Sequence, residues 1–251
     1  MSNRPWTLFL GDLRLLNYIP GEDIWRVRLV SSLFLVKSTR RLQKAVVPGD
    51  VLGLLDQQHL DQVYRVQRFM KKRKIPWKAT LSIPPGIFDL LRCFYLESIS
   101  LQGSAGETYL RGEIRARGTC TVSGCHIIGK NKHPSKPHSR RLLKVGVRAL
   151  PFAHLILKNV VISNIQGYGL FVGPTARVTM EESCICNSLM CNAYLATGAT
   201  VGMSFCKLYG VCWGIECREG VSLHLYQTSL SHTGLYNLKV SEGTNVSYTR
   251  L

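Results

Sequence analysis

The residues whose types could carry chemistry are few: adjacent Glu181 and Glu182, the cysteine pairs Cys184-x-Cys186 and Cys212-x4-Cys217, and the histidines His126, His224 and His232. Glycoside hydrolysis needs two positioned carboxyl groups, and a lyase route needs an acidic cluster to hold calcium beside a base. No aspartate follows Asp89. Neighbours on a strand point to opposite faces, so Glu181 and Glu182 diverge. Glu219 and Glu242 fall in turns, the ordinary place for a solvated charge. The cysteine spacings lack the C-x2-C frame of a zinc site. Stacked core thiols are the expectation for Cys125, Cys206 and Cys217. No residue in the sequence orients a histidine against a nucleophile. The reading is a chain with no catalytic residue, no cofactor and no metal.

Charge is the other chemical feature. Lysine and arginine number 32 against 15 acids, a net charge of +17. Between Glu113 and Glu181 there is no acid, while Arg115, Arg117, Lys158 and Arg177 join a cluster around KNKHPSKPHSRR at 130–141. This reads as one uncompensated basic region. Its candidate partner-binding residues are Lys130, Lys132, Lys136, Arg140, Arg141, Lys144 and Arg148, facing a protein partner, a polyanion or nucleic acid held through its phosphates. A second run, Lys71, Lys72, Arg73 and Lys74, is a candidate nuclear localisation signal. No recognition helix or zinc module is visible, so base-specific reading is not expected.

The elements that would position these groups show a period. Lines begun at Leu155, Val178, Val201, Leu223 and Val246 are spaced by 23, 23, 22 and 23 residues. Their columns agree: Leu157, Met180, Met203 and Leu225; Ile162, Ile185, Leu208 and Leu230; Leu170, Ala193, Ile215 and Leu238; Val172, Leu195, Cys217 and Val240. Each line holds short alternating runs, the period-2 signature of a strand with one buried face, separated by Gly, Asn and Ser turns. A unit this short buries its apolar face only against a copy of itself, which predicts a mainly β chain coiled as a right-handed parallel β-helix. The leucine-rich repeat is the rival at this period, but its LxxLxL and asparagine frame is missing. Cys120, Val122, Cys125, Ile127 and Gly129 match Leu155, Leu157, Val160, Ile162 and Asn164, and Phe94, Leu96, Ile99, Leu101 and Gly103 match the same template again. Cys120 and Leu155 lie 35 residues apart, so about a dozen residues are inserted, within 130–141. Aromatics recur in two columns: Tyr168, Cys191, Trp213, Tyr236 and Phe171, Tyr194, Glu216, Lys239. Packing is the ordinary role of such columns, a recognition surface the functional one.

The columns, with LSIPPGIF at 81–88 and ISLQG at 99–103, resemble the β-helix of the pectate-lyase-like superfamily; RLQKAVVPGD at 41–50 resembles the amphipathic segment that precedes such coils. The likeness spans roughly 80–251 and speaks to fold, not activity. Upstream, LFLGDLRLLNYIPGEDIWRVRLVSSLFLV at 8–36 reads as two short helices broken at Pro20-Gly21. Leading leucines, the break, the acid pair and an apolar helix resemble an F-box, although Leu10-Gly11 stands where family members have leucine-proline. The resemblance implies that Leu13, Leu16, Ile19, Ile24, Val27 and Val30 dock the adaptor of a cullin-RING ubiquitin ligase, and that the β-helix faces the substrate. A plain helical cap on the coil is the structural alternative.

The expected organisation is an F-box-like helical module over 1–45, a basic linker and cap over 46–80, and the β-helix over 81–251. Gly11, Asp12 and Arg14 interrupt the N-terminal apolar run, and nowhere do about 18 apolar residues follow without charge. Nine cysteines, an odd number, fit reduced thiols. A cytoplasmic or nuclear protein without membrane association is therefore expected. The leading function is non-catalytic recognition, as a ligase substrate receptor. The alternatives are a basic β-helix of structural or viral type that binds nucleic acid or self-assembles, and a degenerate carbohydrate-binding or carbohydrate-active β-helix.

Overall fold

The computed structural model describes residues 51–52, 79–83, 85–90, 93–129, 144–210, 213–231 and 235–249. Every strand pairing among them is parallel, and the strands fall into three sheets. From Ala79–Ser82 onward the described strands fall to the three sheets in strict rotation. In one full turn His154–Lys158 lies in the first sheet, Val161–Ser163 in the second and Gly167–Val172 in the third, before Arg177–Glu181 returns to the first. The first sheet has nine strands and the others seven each, making a three-sided parallel β-solenoid. The predicted class is the observed one.

The alternating runs form strands because each turns its apolar positions inward onto the neighbouring coil. Leu101, Val122, Leu157, Met180, Met203 and Leu225 make one continuous inner column, buried throughout. The four columns read from the sequence are the paired registers of the structure. At about 1.5–3 kcal/mol per large apolar side chain removed from water, this interior is what holds the coil against its chain entropy.

The corners close through single residues in the left-handed region. Between the first and second sheets these are Gly124, Asn159, Glu182, Phe205 and Gln227, and between the second and third Asn164, Asn187 and Gly210. Phe152, Thr175, Gly198, Gly220 and Gly243 do the same between the third and the first. One such residue per corner turns the chain without spending a loop, so a coil needs only 20 to 23 residues. Asn164 and Asn187 thus serve the turn through their backbone as well as through any side-chain bond.

Two expectations are corrected. Phe94 and Leu96 do not lie under Cys120 and Val122: they occupy the third sheet beneath Ile114 and Ala116, and Leu101 is the residue that pairs with Val122. From Leu101 to Val122 the coil takes 21 residues, not 23, and all three sheets carry the same buried–x–buried triplet. A template without corner residues therefore slips by a whole sheet. The coil also begins before residue 81: Ala79–Ser82 belongs to the first sheet, and Val51–Leu52 pairs with it in parallel at Thr80 and Leu81. The F-box-like module, with Leu13, Leu16, Ile19, Ile24, Val27 and Val30, lies outside the described residues, as does the run Lys71, Lys72, Arg73 and Lys74.

Candidate functional site: the outer face of the third sheet

The inserted residues enter between the second and third sheets. Sixteen positions separate Ile128 from Lys144, while their partners Ser163 and Gly167 are four apart, so twelve are extra. Of the candidate basic patch, Lys144 and Arg148 are described, both on the strand Lys144–Ala149 of the third sheet. Lys144 bonds Gln166. Lys130, Lys132, Lys136, Arg140 and Arg141 fall outside the described residues, on a segment whose anchors border this sheet.

Arg148 is one rung of a ladder. Alternation turns Val147 and Ala149 into the core and Arg148 outward, and the same register carries Tyr95, Arg115, Arg148, Phe171, Tyr194, Glu216 and Lys239 across the sheet. The Arg148 guanidinium lies 4.5 Å from the Phe171 ring centre. Phe171 stacks on Tyr194 with centroids 5.1 Å apart and planes 14° from parallel, and Tyr168 closes on Tyr194 at 5.2 Å. Arg218 covers Tyr194 from 5.4 Å and its Nε donates to the phenol oxygen at 2.8 Å. Lys239 sits 5.0 Å from the Trp213 ring, and Arg115 covers Tyr95. Each such cation–π or ring pair contributes about 0.5–1.5 kcal/mol.

Two carboxylates fasten the ladder. Glu113, just before the strand Ile114–Arg117, accepts from Arg115 Nε at 2.8 Å and Nη2 at 3.2 Å, from Arg148 Nε at 3.0 Å and from Cys93 Sγ at 3.3 Å. Burial opposes its ionisation, but these donors outweigh it and hold the carboxyl below its ordinary range. At the other end Glu216, with 5% of its side chain exposed, stands 3.5 Å from both Arg218 and Lys239. The region read as uncompensated is therefore compensated at several positions: Arg115 and Arg148 by Glu113, and Lys158 by Glu181 at 2.8 Å. Linear distance along the chain hid these pairs, because one coil brings residues 20 to 35 apart side by side.

Elsewhere the reading of single residues is mixed. Cys125, Cys206 and Cys217 are core thiols, as expected, and burial raises all three. Cys184 and Cys186 are not: Ile185 takes the core position and the two cysteines face outward. His126 and His224 do have orienting partners, which the sequence did not suggest. His126 Nε2 lies 2.8 Å from Ser163 Oγ, and His224 bridges Ser222 and Ser247 at 3.1 and 2.6 Å. Burial shifts the His126 imidazole below its ordinary range. Among the described residues no three His, Cys, Asp or Glu side chains converge as a metal site, and no helix is long and apolar enough to cross a membrane. Family models, curated proteins and solved structures contain no match to this chain.

Proposed function

We propose that this chain is a non-catalytic recognition protein whose β-helix presents the outer face of the third sheet to an acidic protein partner. The observation that carries the reading is the seven-rung column from Tyr95 to Lys239, in which arginine, tyrosine and phenylalanine stand in register at the strand spacing. These are the side chains enriched at the energetic centres of protein interfaces: large, rigid once packed, and able to exclude water while offering a charge. The inserted basic segment is anchored at the border of the same sheet, where added positive charge would steer an acidic partner towards it. The reading as a recognition surface agrees with the chemistry of the face. Glu113 and Glu216 are each bridged by two cations. A general acid must keep its proton near neutrality, and Glu113 is held in the opposite sense.

The finer reading, a substrate receptor of a cullin-RING ubiquitin ligase with a right-handed coil of the pectate-lyase-like kind, rests on the motifs of residues 8–36 and 81–103. The test is comparative affinity purification with the full chain, its Arg148→Ala/Tyr194→Ala variant and its Leu16→Asp/Ile24→Asp variant. Loss of a common set of proteins from the first variant, with an unchanged circular-dichroism spectrum, supports recognition through the third sheet. Loss of the cullin adaptor from the second alone supports the ligase reading. Identical captures by all three proteins refute the first claim, and absence of the adaptor from the wild-type capture refutes the second. Binding of single-stranded nucleic acid that falls steeply with salt would favour the polyanion alternative instead.

A further inference from the structure

The ladder on the third sheet carries two charge clusters of the same composition. In one, Arg115 and Arg148 share Glu113, at 2.8 and 3.0 Å. In the other, Arg218 and Lys239 share Glu216, both at 3.5 Å. Each sets two cations against one carboxylate and keeps one unit of positive charge. Arg115 uses Nε and Nη2 on Glu113 and Nη1 on the Tyr95 hydroxyl. Arg148 uses only Nε, and among the described residues its terminal nitrogens make no hydrogen bond. Its guanidinium is steadied 4.5 Å from the Phe171 ring centre, so the open end is a fixed fork of the kind that takes a carboxylate through both oxygens. Arg218, half exposed, is steadied by the Tyr194 hydroxyl and ring. Between the clusters lie the rings of Tyr168, Phe171 and Tyr194, in mutual contact with centroids 5.1 to 5.9 Å apart.

Spacing decides what can bridge the two clusters. Arg148, Phe171, Tyr194 and Glu216 stand on successive strands, three steps of about 4.8 Å, so the two positive ends are about 14 Å apart. An extended peptide rises about 3.4 Å per residue and turns i, i+2 and i+4 to one face, so acids at i and i+4 span about 14 Å with residue i+2 midway. A helix, at about 1.5 Å per residue, covers that distance in about nine residues and arrives half a turn out of phase, on its far side. A phosphate group puts two charges at one point, which overcompensates one cluster and leaves the other unmatched. Resting on the recognition reading, we propose that the third sheet docks an extended segment of its partner with the pattern acid–x–apolar–x–acid, laid along the rod across the strands. One carboxylate takes the open fork of Arg148 and the other pairs with Arg218 and Lys239, which brings both clusters to neutrality. The apolar side chain between them covers the contact of Phe171 with Tyr194.

The experiment measures, by fluorescence anisotropy in low salt, the binding to the full chain of capped, labelled peptides with two aspartates in a serine and threonine background and a leucine between them. Affinity should peak with the aspartates at i and i+4 and the leucine at i+2. Moving the second aspartate to i+3 or i+5 turns it to the other face and should weaken binding about tenfold. Serine in place of the leucine should weaken it about threefold. Arg148→Lys keeps the charge and loses the fork, so it should weaken the best peptide about tenfold, and Arg148→Ala should abolish the preference for i+4. Equal affinity at every spacing, or no binding at any, overturns the proposal, as does an Arg148→Lys chain that binds like the wild type. The recognition reading falls separately, when the Arg148→Ala/Tyr194→Ala variant captures the same proteins as the wild-type chain. The wild-type spacing series decides the matter even where a variant folds poorly.

Discussion

Replacing Glu113 by glutamine keeps the shape of the side chain and removes its charge. In the wild type, that carboxylate accepts three hydrogen bonds from two guanidinium groups, with only 16% of its own side chain exposed and 29% and 23% of Arg115 and Arg148. A hydrogen bond to a charged group contributes about 1.5–3 kcal/mol. Partial exposure of the arginines screens part of that, and the amide oxygen of glutamine still accepts one bond. The expected loss is about 2–3 kcal/mol at neutral pH, read as a lower urea midpoint at unchanged slope. The pH dependence has a fixed sign. The folded-state carboxyl of Glu113 lies below its ordinary value, so its stabilisation is fully present above the unfolded value and is lost as pH falls through the folded one. The gap between wild type and variant should therefore be constant from pH 6 to 8 and shrink below about pH 4. Adding Arg148→Ala to the variant should cost less than Arg148→Ala costs alone, since its charge partner is already gone. A variant within about 0.5 kcal/mol of wild type at neutral pH, or a gap unchanged at pH 3, would refute the view that Glu113 fastens the ladder.

Three further outcomes follow from the packing. Gly214→Ala places a Cβ 2.1 Å from the Asn237 carbonyl oxygen, a backbone atom of the next coil that cannot step aside alone, so about 1–3 kcal/mol should be lost in chemical unfolding. Phe152 holds φ at 62° with 82% of its surface exposed, and Phe152→Asn should relieve strain and raise the melting temperature by about 2–3 °C, because asparagine tolerates that conformation. Leu157→Ala, in the centre of the coil, should cost about 2–5 kcal/mol, while Leu238→Ala in the last described coil, where the residue is only partly buried, should cost less than half as much in the same titration.

Much of the fold was legible because a parallel coil prints its contacts as a period: Met180 and Met203 share a column in the sequence for the same reason that they touch in space. What misled was coil length. Where Leu101 to Val122 takes 21 residues, the template slid one sheet, since nothing in an apolar triplet says which side it occupies. The corners were harder still. Phe205 and Glu182 hold left-handed corner positions that asparagine and glycine fill elsewhere, and neither residue type announces such a backbone. The candidate face was half visible. Its aromatic columns could be written down, but the partnership of Glu113 with Arg148 spans 35 residues and depends on the inserted segment being skipped. For Cys184 and Cys186 the sequence offered only a spacing that does not suit zinc, because a three-residue strand gives alternation too little length to declare which side a residue takes.

The twelve surplus residues between Ile128 and Lys144 leave Val161 still paired with His126 and Val147 still paired with Ile114, one coil below. A corner of this solenoid is thus a port: chain can be spliced in there while the stack on either side keeps its pitch. Length and charge at that port are free to vary without renegotiating the interior, so what the rod displays and what keeps it upright can change separately. A reporter peptide grafted between residues 130 and 143 would be carried at the edge of the third sheet at little cost to the coils that bear it.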